Sequence, residues 1–279
     1  MDKDTNFSSF TVALHKKIRC YDAPVLMGIL NVTPDSFFDG GKYTTEDSIL
    51  ARAQQIIDEG GDIIDIGVTS TRPGSTLPDP KEESQRLAHI VSFVRQHFHD
   101  AVISADTCFA LSACLAIESG ADIINDIGGG IIDSDMFDTV ASLQVPYILS
   151  HYETFSGDPL LALSYYFSDK LEQLYRKGAK DVWIDPGFGF KKDLQQNFDI
   201  FQCLPKLCHL FAEPLLVGVS NKSMIYKTLD TSPTHPDTLT GTIALNTQAL
   251  LAGARILRVH DVREAAIIRT LLQQQHSHH

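Results

Sequence analysis

The chain has 279 residues, 43% of them hydrophobic, and a formal net charge of −12. This length and composition predict an ordinary globular protein with one large domain or two small ones. The acidic charge argues against nucleic acid as a partner, because phosphate backbones are bound by clustered Lys and Arg. No apolar run approaches the roughly 20 residues of a membrane span, so no membrane partner is expected either.

The cysteines indicate reduced thiols. Their number is odd and no CxxC pair occurs, so neither a disulfide framework nor a zinc site is indicated. The five are Cys20, Cys108, Cys114, Cys203 and Cys208. Because the amino terminus also lacks a signal-peptide pattern, we expect a cytoplasmic protein. The His-rich residues 276–279 are expected to be a disordered tail or a tag remnant.

The first predicted elements are a hairpin and a strand. Residues 10–22 (FTVALHKKIRCYD) predict a short β-hairpin within an N-terminal extension, residues 1–23, that closes the bottom of the fold. An apolar strand begins near residue 24 and ends at Asn31, where polar residues take over. Pro34 cannot join a strand ladder, so a loop is predicted there.

A unit of helix, Gly and buried strand then recurs along the chain. The strands are predicted to start near residues 24, 62, 101, 121, 145, 181, 214 and 254. Eight strands alternating with helices over about 250 residues are typical of a (β/α)8 TIM barrel, which we predict as a single domain over residues 24–275. A doubly wound sheet has the same alternation, but the barrel is favoured because polar residues follow every strand, where barrels form their sites.

These polar residues form one predicted ring. Singly, each has a structural explanation, such as an Asp that caps the next helix or a His that is satisfied inside the core. Together they indicate a functional site. In chain order they are Asn31, Asp65, Asp106, Asn125, Asp126, His151, Asp185, Ser220, Lys222, Arg258 and His260.

The motifs around the ring resemble one known family. GILNVTPDSFFDGG at 28–41 resembles the opening signature of dihydropteroate synthase, the pterin-binding enzyme of folate biosynthesis. Later motifs agree in order and spacing: DIGVTSTRPGS, SADT, NDIGG, DPGFGF, VGVSNKS and RVHD. The resemblance implies a transferase that condenses 6-hydroxymethyl-7,8-dihydropterin pyrophosphate with p-aminobenzoate. The products would be 7,8-dihydropteroate and pyrophosphate.

The chemistry of that reaction suits particular residues. The pterin edge needs a carboxylate and an amide, for which Asp185 and Asn125 are suited. Asp106 would stabilise positive charge left by SN1-like loss of pyrophosphate. The leaving anion would be captured by Arg72, Arg258 and His260. Mg²⁺ needs few protein ligands when phosphate oxygens are present, so Asn31 would suffice as metal ligand and pyrophosphate contact.

The resemblance implies further assignments. Asp106 and Lys222 would complete the pterin pocket, and the catalytic residues would be Asp106, Lys222, Arg258 and His260. A homodimer is implied as well, and sulfonamides would compete with p-aminobenzoate. Loops 33–43 and 70–77 are rich in Pro, Gly and Ser, and for that reason they are expected to close over the p-aminobenzoate site. Its lining would be Phe37, Thr71, Pro73, Phe190 and Ser223.

The chain departs from the family pattern at several positions. Asn221 stands where an Arg is usual, Ser150 where a Met is usual, and Lys191 where a Gly is usual. The departures leave room for a non-catalytic pterin or folate binder. A pterin-dependent methyltransferase would share the pterin pocket, and an aldolase-type barrel would use a Schiff-base Lys, for which Lys222 is the candidate. The Gly128–Gly130 run lacks a phosphate-loop spacing and predicts a turn.

Overall fold

The computed structural model describes residues 9–14, 17–32, 46–69 and 77–276. Its strands are β1 Phe10–Leu14, β2 Lys17–Tyr21, β3 Val25–Asn31, β4 Ile63–Gly67, β5 Val102–Asp106, β6 Ile123–Asp126, β7 Tyr147–Ser150, β8 Val182–Asp185, β9 Leu216–Val217 and β10 Ile256–Val259. Its helices are α1 Glu46–Asp58, α2 Pro80–His97, α3 Ala110–Glu118, α4 Met136–Leu143, α5 Pro159–Lys177, α6 Leu194–Leu210, α7 Ser223–Thr228, α8 Pro236–Leu251 and α9 Val262–His276.

Strands β3 to β10 form one parallel sheet that closes on itself. The order is β8-β7-β6-β5-β4-β3-β10-β9, and a parallel bridge between Ile184 and Leu215 joins the two ends. Helices alternate with the strands in sequence. The closed circle confirms the predicted TIM barrel and excludes the doubly wound sheet, which stays open.

The barrel strands are buried on both sides, which explains their nearly continuous Val, Ile and Leu. Outward-facing residues such as Leu26 and Ile64 belong to the large core that the helices cover. Four glycines that follow helices have positive φ, as expected of residues that end a helix in the left-handed conformation. They are Gly60, Gly120, Gly178 and Gly253.

The predicted hairpin is present and covers the amino ends of the barrel strands. β1 and β2 pair antiparallel, and Val12, Leu14 and Tyr21 are buried in a second core. The Phe10 ring meets Trp183 of β8 edge to face, with centroids 5.8 Å apart. The opposite end of the barrel therefore remains for the site. None of the helices in the described ranges combines the length and hydrophobicity that crossing a bilayer requires.

Candidate active site

Three predicted site residues lie side by side at the carboxyl ends of β3, β5 and β6. The register pairs Asn31 with Gly67, Gly67 with Asp106, and Asp106 with Asn125. A Cβ atom on Gly67 would lie 3.1 Å from Asn31 Oδ1 and 3.5 Å from Asp106 Oδ2. The glycine in β4 thus leaves the space in which the amide and the carboxylate approach each other.

The Arg258 guanidinium joins two buried carboxylates. Its Nε donates to Asp65 at 2.6 Å, and its Nη2 donates to Asp106 at 2.5 Å. Asn125 Nδ2 also donates to the two Asp65 oxygens, at 3.4 and 3.3 Å. Burial alone would lower the pKa of Arg258, but Asp65 and Asp106 outweigh it and hold the pKa above its usual value.

This arrangement bears on the role predicted for Arg258 as a pyrophosphate donor. The two carboxylate bonds engage two of the five N–H donors of the guanidinium. Arg258 is therefore a member of a charged cluster at the strand ends as well as a candidate anion contact.

Asp106 has one oxygen suited to receive a ligand. Oδ2 accepts from Arg258, whereas Oδ1 is buried and has no hydrogen-bond partner among the described residues. Burial raises the pKa of Asp106 to about 7, Arg258 opposes the rise, and Asp65 and Glu83 add to it. An unpaired buried acceptor is costly, so a donor from a bound ligand would be stabilising here.

Asp185 and Lys222 flank the loop that follows β8. Asp185 Oδ1 accepts from the Gly187 backbone N–H at 2.8 Å, and Ser150 Oγ donates to Oδ2 at 3.3 Å. The Lys222 ammonium donates to the Phe188 carbonyl. Burial lowers the pKa of Lys222 to about 8, although Asp185 favours the charged form.

Two predicted p-aminobenzoate contacts lie beside Lys222. Its Nζ is 4.6 Å from the centroid of the Phe190 ring, a cation–π distance. Phe190 also lies 5.8 Å from the Tyr152 ring. Ser223 is the first residue of α7 and is partly exposed.

The remaining predicted contacts fall on undescribed segments. Phe37, Thr71, Arg72 and Pro73 lie outside the described residues, as do residues 33–43 and nearly all of loop 70–77. Their roles stay predictions.

His260 stands at the rim after β10. Its side chain is exposed. Its backbone N–H donates to Ser220 Oγ at 3.1 Å, and its carbonyl accepts from Arg52 at 2.6 Å. The main chain that presents the imidazole is thus held by α1 and by the loop after β9.

Two members of the predicted ring, Asp126 and His151, lie in surroundings that indicate a structural role. Asp126 accepts from the N–H groups of Gly128 and Gly130, both at 2.7 Å, and from Tyr147 Oη at 2.6 Å. The glycine run is therefore the turn that its spacing predicted. His151 is buried, and burial followed by the nearby Lys192 lowers its pKa to about 3, so its imidazole is neutral.

Two buried carboxylates were given no chemical role from sequence, although Asp65 belongs to the predicted ring. Asp65 interrupts the apolar strand IIDIG, and a buried charge must be paired, which indicates a paired carboxylate at this position. Glu83 accepts from Thr107, the neighbour of Asp106, and burial raises the pKa of Glu83. Nothing in the sequence singles out Glu83 as a site residue, because an acidic residue in the first turn of a helix is ordinary.

Two departures from the family pattern occupy left-handed backbone positions. Lys191 has φ of 49° and Asn221 has φ of 54°. Asn tolerates this conformation better than most residues. The Asn221 amide donates to Asp261 at 3.2 Å, and its oxygen accepts from Thr242 at 3.2 Å. The side chain at position 221 is thus part of the connection between the loop after β9, α8 and the loop after β10.

The described residues fit a Mg²⁺ ion that takes most of its ligands from a substrate, and not one held in a cage of protein side chains. Within the described ranges, no three His, Cys, Asp or Glu side chains converge as a metal cage. The Asn31 amide is exposed at the end of β3, where it could ligate an ion that also binds phosphate oxygens. Such an ion would arrive with a phosphorylated substrate.

Comparisons with known proteins agree with this geometry. The sequence profile of the family described as pterin binding enzyme matches residues 27–260. A dihydropteroate synthase of Streptococcus pyogenes serotype M6 is 38% identical over 257 residues, which are 89% of this chain and 94% of that protein.

The chain belongs to the dihydropteroate synthase family of pterin-binding enzymes. Among solved structures, the Xanthomonas albilineans dihydropteroate synthase with 4-aminobenzoic acid has a TM-score of 0.88 and 31% identity, over 97% of this chain and 99% of that one. The Yersinia pestis enzyme with a pterin–sulfa conjugate has a TM-score of 0.85 and 30% identity, over 96% and 100%. The fold, family and transferase class that the motifs implied are confirmed.

Proposed function

We propose that the chain catalyses the Mg²⁺-dependent condensation of 6-hydroxymethyl-7,8-dihydropterin pyrophosphate with p-aminobenzoate, a step of folate biosynthesis. The observation that carries the proposal is the cluster of Asp106, Asn125, Asp185 and Lys222 at the carboxyl end of the barrel. The 4-aminobenzoic acid and the pterin–sulfa conjugate on related enzymes support the two substrates.

The pterin edge is assigned to Asn125 and Asp185. An amide offers both a donor and an acceptor, and a carboxylate accepts N–H groups through about four lone-pair sites. The Asp185 carboxylate accepts two hydrogen bonds from the described residues, which leaves capacity for ligand N–H groups. The Lys222 ammonium would donate to an acceptor on the same ring.

Bond breaking precedes bond making in the proposed reaction. The bond between the pterin methylene carbon and the pyrophosphate oxygen breaks first, and its electron pair leaves with the pyrophosphate. The Asp106 carboxylate stabilises the cation that remains on the pterin. The arylamine nitrogen then attacks the methylene carbon and loses a proton. Because that amine is neutral at physiological pH, no strong general base is required.

The leaving group is assigned to Asn31, Arg72, Arg258 and His260. Guanidinium groups form bidentate, charge-assisted hydrogen bonds with phosphate oxygens. When bound, Mg²⁺ would neutralise charge on the departing pyrophosphate, with Asn31 as its protein ligand. The Arg258 guanidinium would lie between the pyrophosphate anion and the carboxylates of Asp65 and Asp106, to which it is hydrogen-bonded.

The second substrate is assigned to the rim formed by Phe190 and Ser223, completed by Phe37, Thr71 and Pro73. The position of Phe190 supports this assignment of the p-aminobenzoate site, because its ring lies beside Lys222 rather than inside the main core. Sulfonamides are proposed to compete at the same place, with the pterin–sulfa conjugate on the Yersinia pestis enzyme as support.

Some broader properties also remain proposals. These are the homodimer, the cytoplasmic location and the division into an extension of residues 1–23, a barrel domain of residues 24–275 and a tail of residues 276–279. The family match over residues 27–260 lies within the proposed domain. The location is supported by the five cysteines, all in described segments and all free.

Purified protein with Mg²⁺, the pterin pyrophosphate and labelled p-aminobenzoate tests the proposal. We expect labelled dihydropteroate and one pyrophosphate per product, and slow pyrophosphate release when p-aminobenzoate is omitted. Tight pterin binding without product would contradict catalysis and favour a non-catalytic binder. Methyl transfer to a corrinoid in place of product would favour the methyltransferase.

A further inference from the structure

Lys192 is a buried lysine that the proposed reaction does not use. Its residue surface is only 9% exposed. The ammonium donates to three backbone carbonyls, those of His151 and Gly187 at 2.8 Å and that of Phe190 at 3.2 Å. An ammonium has three N–H donors, so each has an acceptor.

The three carbonyls come from two different strand ends. His151 directly follows β7, whereas Gly187 and Phe190 belong to the loop after β8. The two backbones approach so closely that a Cβ on Gly187 would lie 2.2 Å from the His151 carbonyl oxygen. Gly187 also has φ of 72°, which suits glycine. The three carbonyl oxygens all point at one ammonium, so their dipoles would repel each other if that charge were absent.

The loop after β8 is held at its other side by α6. The Gly189 N–H donates to Asn197 Oδ1 at 2.7 Å. The Asn197 amide in turn donates to the carbonyls of Lys192 and Asp193, at 3.3 and 2.6 Å. Lys192 therefore lies where the loop, β7 and the start of α6 are joined.

The same loop carries two contacts of the site. The Phe188 carbonyl accepts from Lys222, and the Phe190 ring lies beneath the Lys222 ammonium. A displacement of the loop would move the acceptor of Lys222 and the aromatic face assigned to p-aminobenzoate. A 1 Å displacement at a substrate contact is enough to reduce a rate strongly.

We infer that Lys192 is a positioning residue that holds the 186–190 loop against the end of β7 and thereby sets the place of Phe190 in the second-substrate site. The role in turnover rests on the proposed function. The mechanical role of joining β7 to the loop does not.

The charge of Lys192 is part of this role. Burial lowers the pKa of Lys192 to about 7, Asp185 opposes this shift, and Lys222 adds to it. The neighbouring His151 is neutral and contributes no charge. A neutral amine has two N–H donors for three carbonyls, so the attachment weakens as pH rises through this pKa.

The test compares four proteins: the wild type, Lys192→Met, Lys192→Arg and Lys206→Met. Met keeps the length of the side chain and removes the charge and donors. Arg keeps a permanent charge. Lys206 is an exposed lysine on α6 and serves as the matched control, because the nearer Lys191 lies 4.4 Å from the ring of Tyr152, which packs on Phe190. Hydrogen exchange of the amides of Gly189 and Phe190 is measured, together with the KM for p-aminobenzoate at fixed, saturating pterin pyrophosphate.

We expect Lys192→Met to lose protection at these two amides and to raise the KM about tenfold, whereas Lys192→Arg stays within about threefold and Lys206→Met is unchanged. Equal effects of Lys192→Met and Lys192→Arg, or wild-type exchange in Lys192→Met, would overturn the inference. If Lys192→Met does not fold, wild type and Lys192→Arg are compared from pH 6 to pH 9. Both proteins share the titration of Lys222, so the wild type should lose more protection and gain more KM with rising pH than Lys192→Arg, and parallel curves would overturn the inference. A wild type that forms no dihydropteroate defeats the proposed function alone, because hydrogen exchange still decides the role of Lys192.

Discussion

At the scale of single residues, burial determines which charges the site carries. Asp106 is buried and Lys222 is half-buried. Burial raises the pKa of Asp106 and lowers the pKa of Lys222, so it favours the neutral form of each side chain. Arg258 keeps its charge because two carboxylates hold it. Among the described site residues, Arg258 is therefore a permanent cation, whereas Lys222 titrates near neutral pH.

The affinity for pterin should depend on pH through Lys222. Its pKa of about 8 means that the ammonium is present below that pH and is lost as pH rises above it. We expect the pterin Kd of the unliganded protein to rise above about pH 8, by up to tenfold per pH unit. Isothermal titration calorimetry from pH 6.5 to pH 9.5 measures this Kd. Lys222→Met should bind weakly at every pH, and a wild-type-like rise in that variant would contradict the assignment. The control is Lys227→Met, an exposed lysine on α7, the helix that begins directly after Lys222.

Residue roles were only partly predictable from sequence. The positions of Asp106, Asn125 and Asp185 after their strands followed from strand periodicity, because carboxyl ends of parallel strands meet at one end of a barrel. The pairing of Arg258 with Asp65 could not be predicted in this way, since the two residues are 193 positions apart and no local pattern links them. Lys192 was equally hidden, because its three acceptors are backbone atoms that any sequence possesses.

At the scale of elements, loops at the site end are built around buried acceptors and donors. The turn after β6 wraps its N–H groups around the Asp126 carboxylate, and the loop after β8 wraps its carbonyls around the Lys192 ammonium. In both, glycines with positive φ allow the close approach. The loops that follow β6 and β8 are thus held in fixed conformations by these buried groups.

Removing the Asp126 carboxylate should destabilise the protein. Asp126→Ala leaves two backbone N–H groups and the Tyr147 hydroxyl without their acceptor. We expect a loss of about 3 kcal/mol in the free energy of unfolding, since each unsatisfied buried donor costs about 1 kcal/mol or more. Urea unfolding measures it. Asp135→Ala changes the exposed N-cap residue of α4, whose carboxylate makes no capping hydrogen bond, so it should be nearly neutral. Equal losses in both variants would contradict the role of the Asp126 turn.

At the scale of the whole molecule, the two ends of the barrel have different tasks. The amino end is sealed by the apolar face of the N-terminal hairpin, and the carboxyl end carries the charged cluster. This division was readable from sequence, because strands alternate with helices and polar residues follow each strand. The predicted barrel also implied a closure between β8 and β9, the two strands at the ends of the sheet order, but the parallel bridge between Ile184 and Leu215 that makes it could not be predicted.

The hairpin should contribute to stability without contributing to catalysis. Leu14 is 6% exposed against the amino end of the barrel, whereas Ile18 of the same hairpin is 80% exposed. We expect Leu14→Ala to lower the free energy of unfolding by about 2–4 kcal/mol and Ile18→Ala by less than about 0.5 kcal/mol. Thermal and urea unfolding measure these changes. Turnover per folded molecule should be the same in both, and a selective loss of turnover in Leu14→Ala would link the hairpin to the site.

The assignment of the pterin pocket is tested most directly on the two ends of β8. Asp185 ends the strand within the charged cluster, and Asp181 precedes the strand at the hairpin end, where it accepts from Ala13. Isothermal titration with the pterin pyrophosphate compares Asp185→Ala with Asp181→Ala. We predict that Asp185→Ala weakens binding by about 100-fold or more, as expected from the loss of charge-assisted hydrogen bonds, and that Asp181→Ala binds like the wild type. Unchanged pterin affinity in Asp185→Ala would contradict the account.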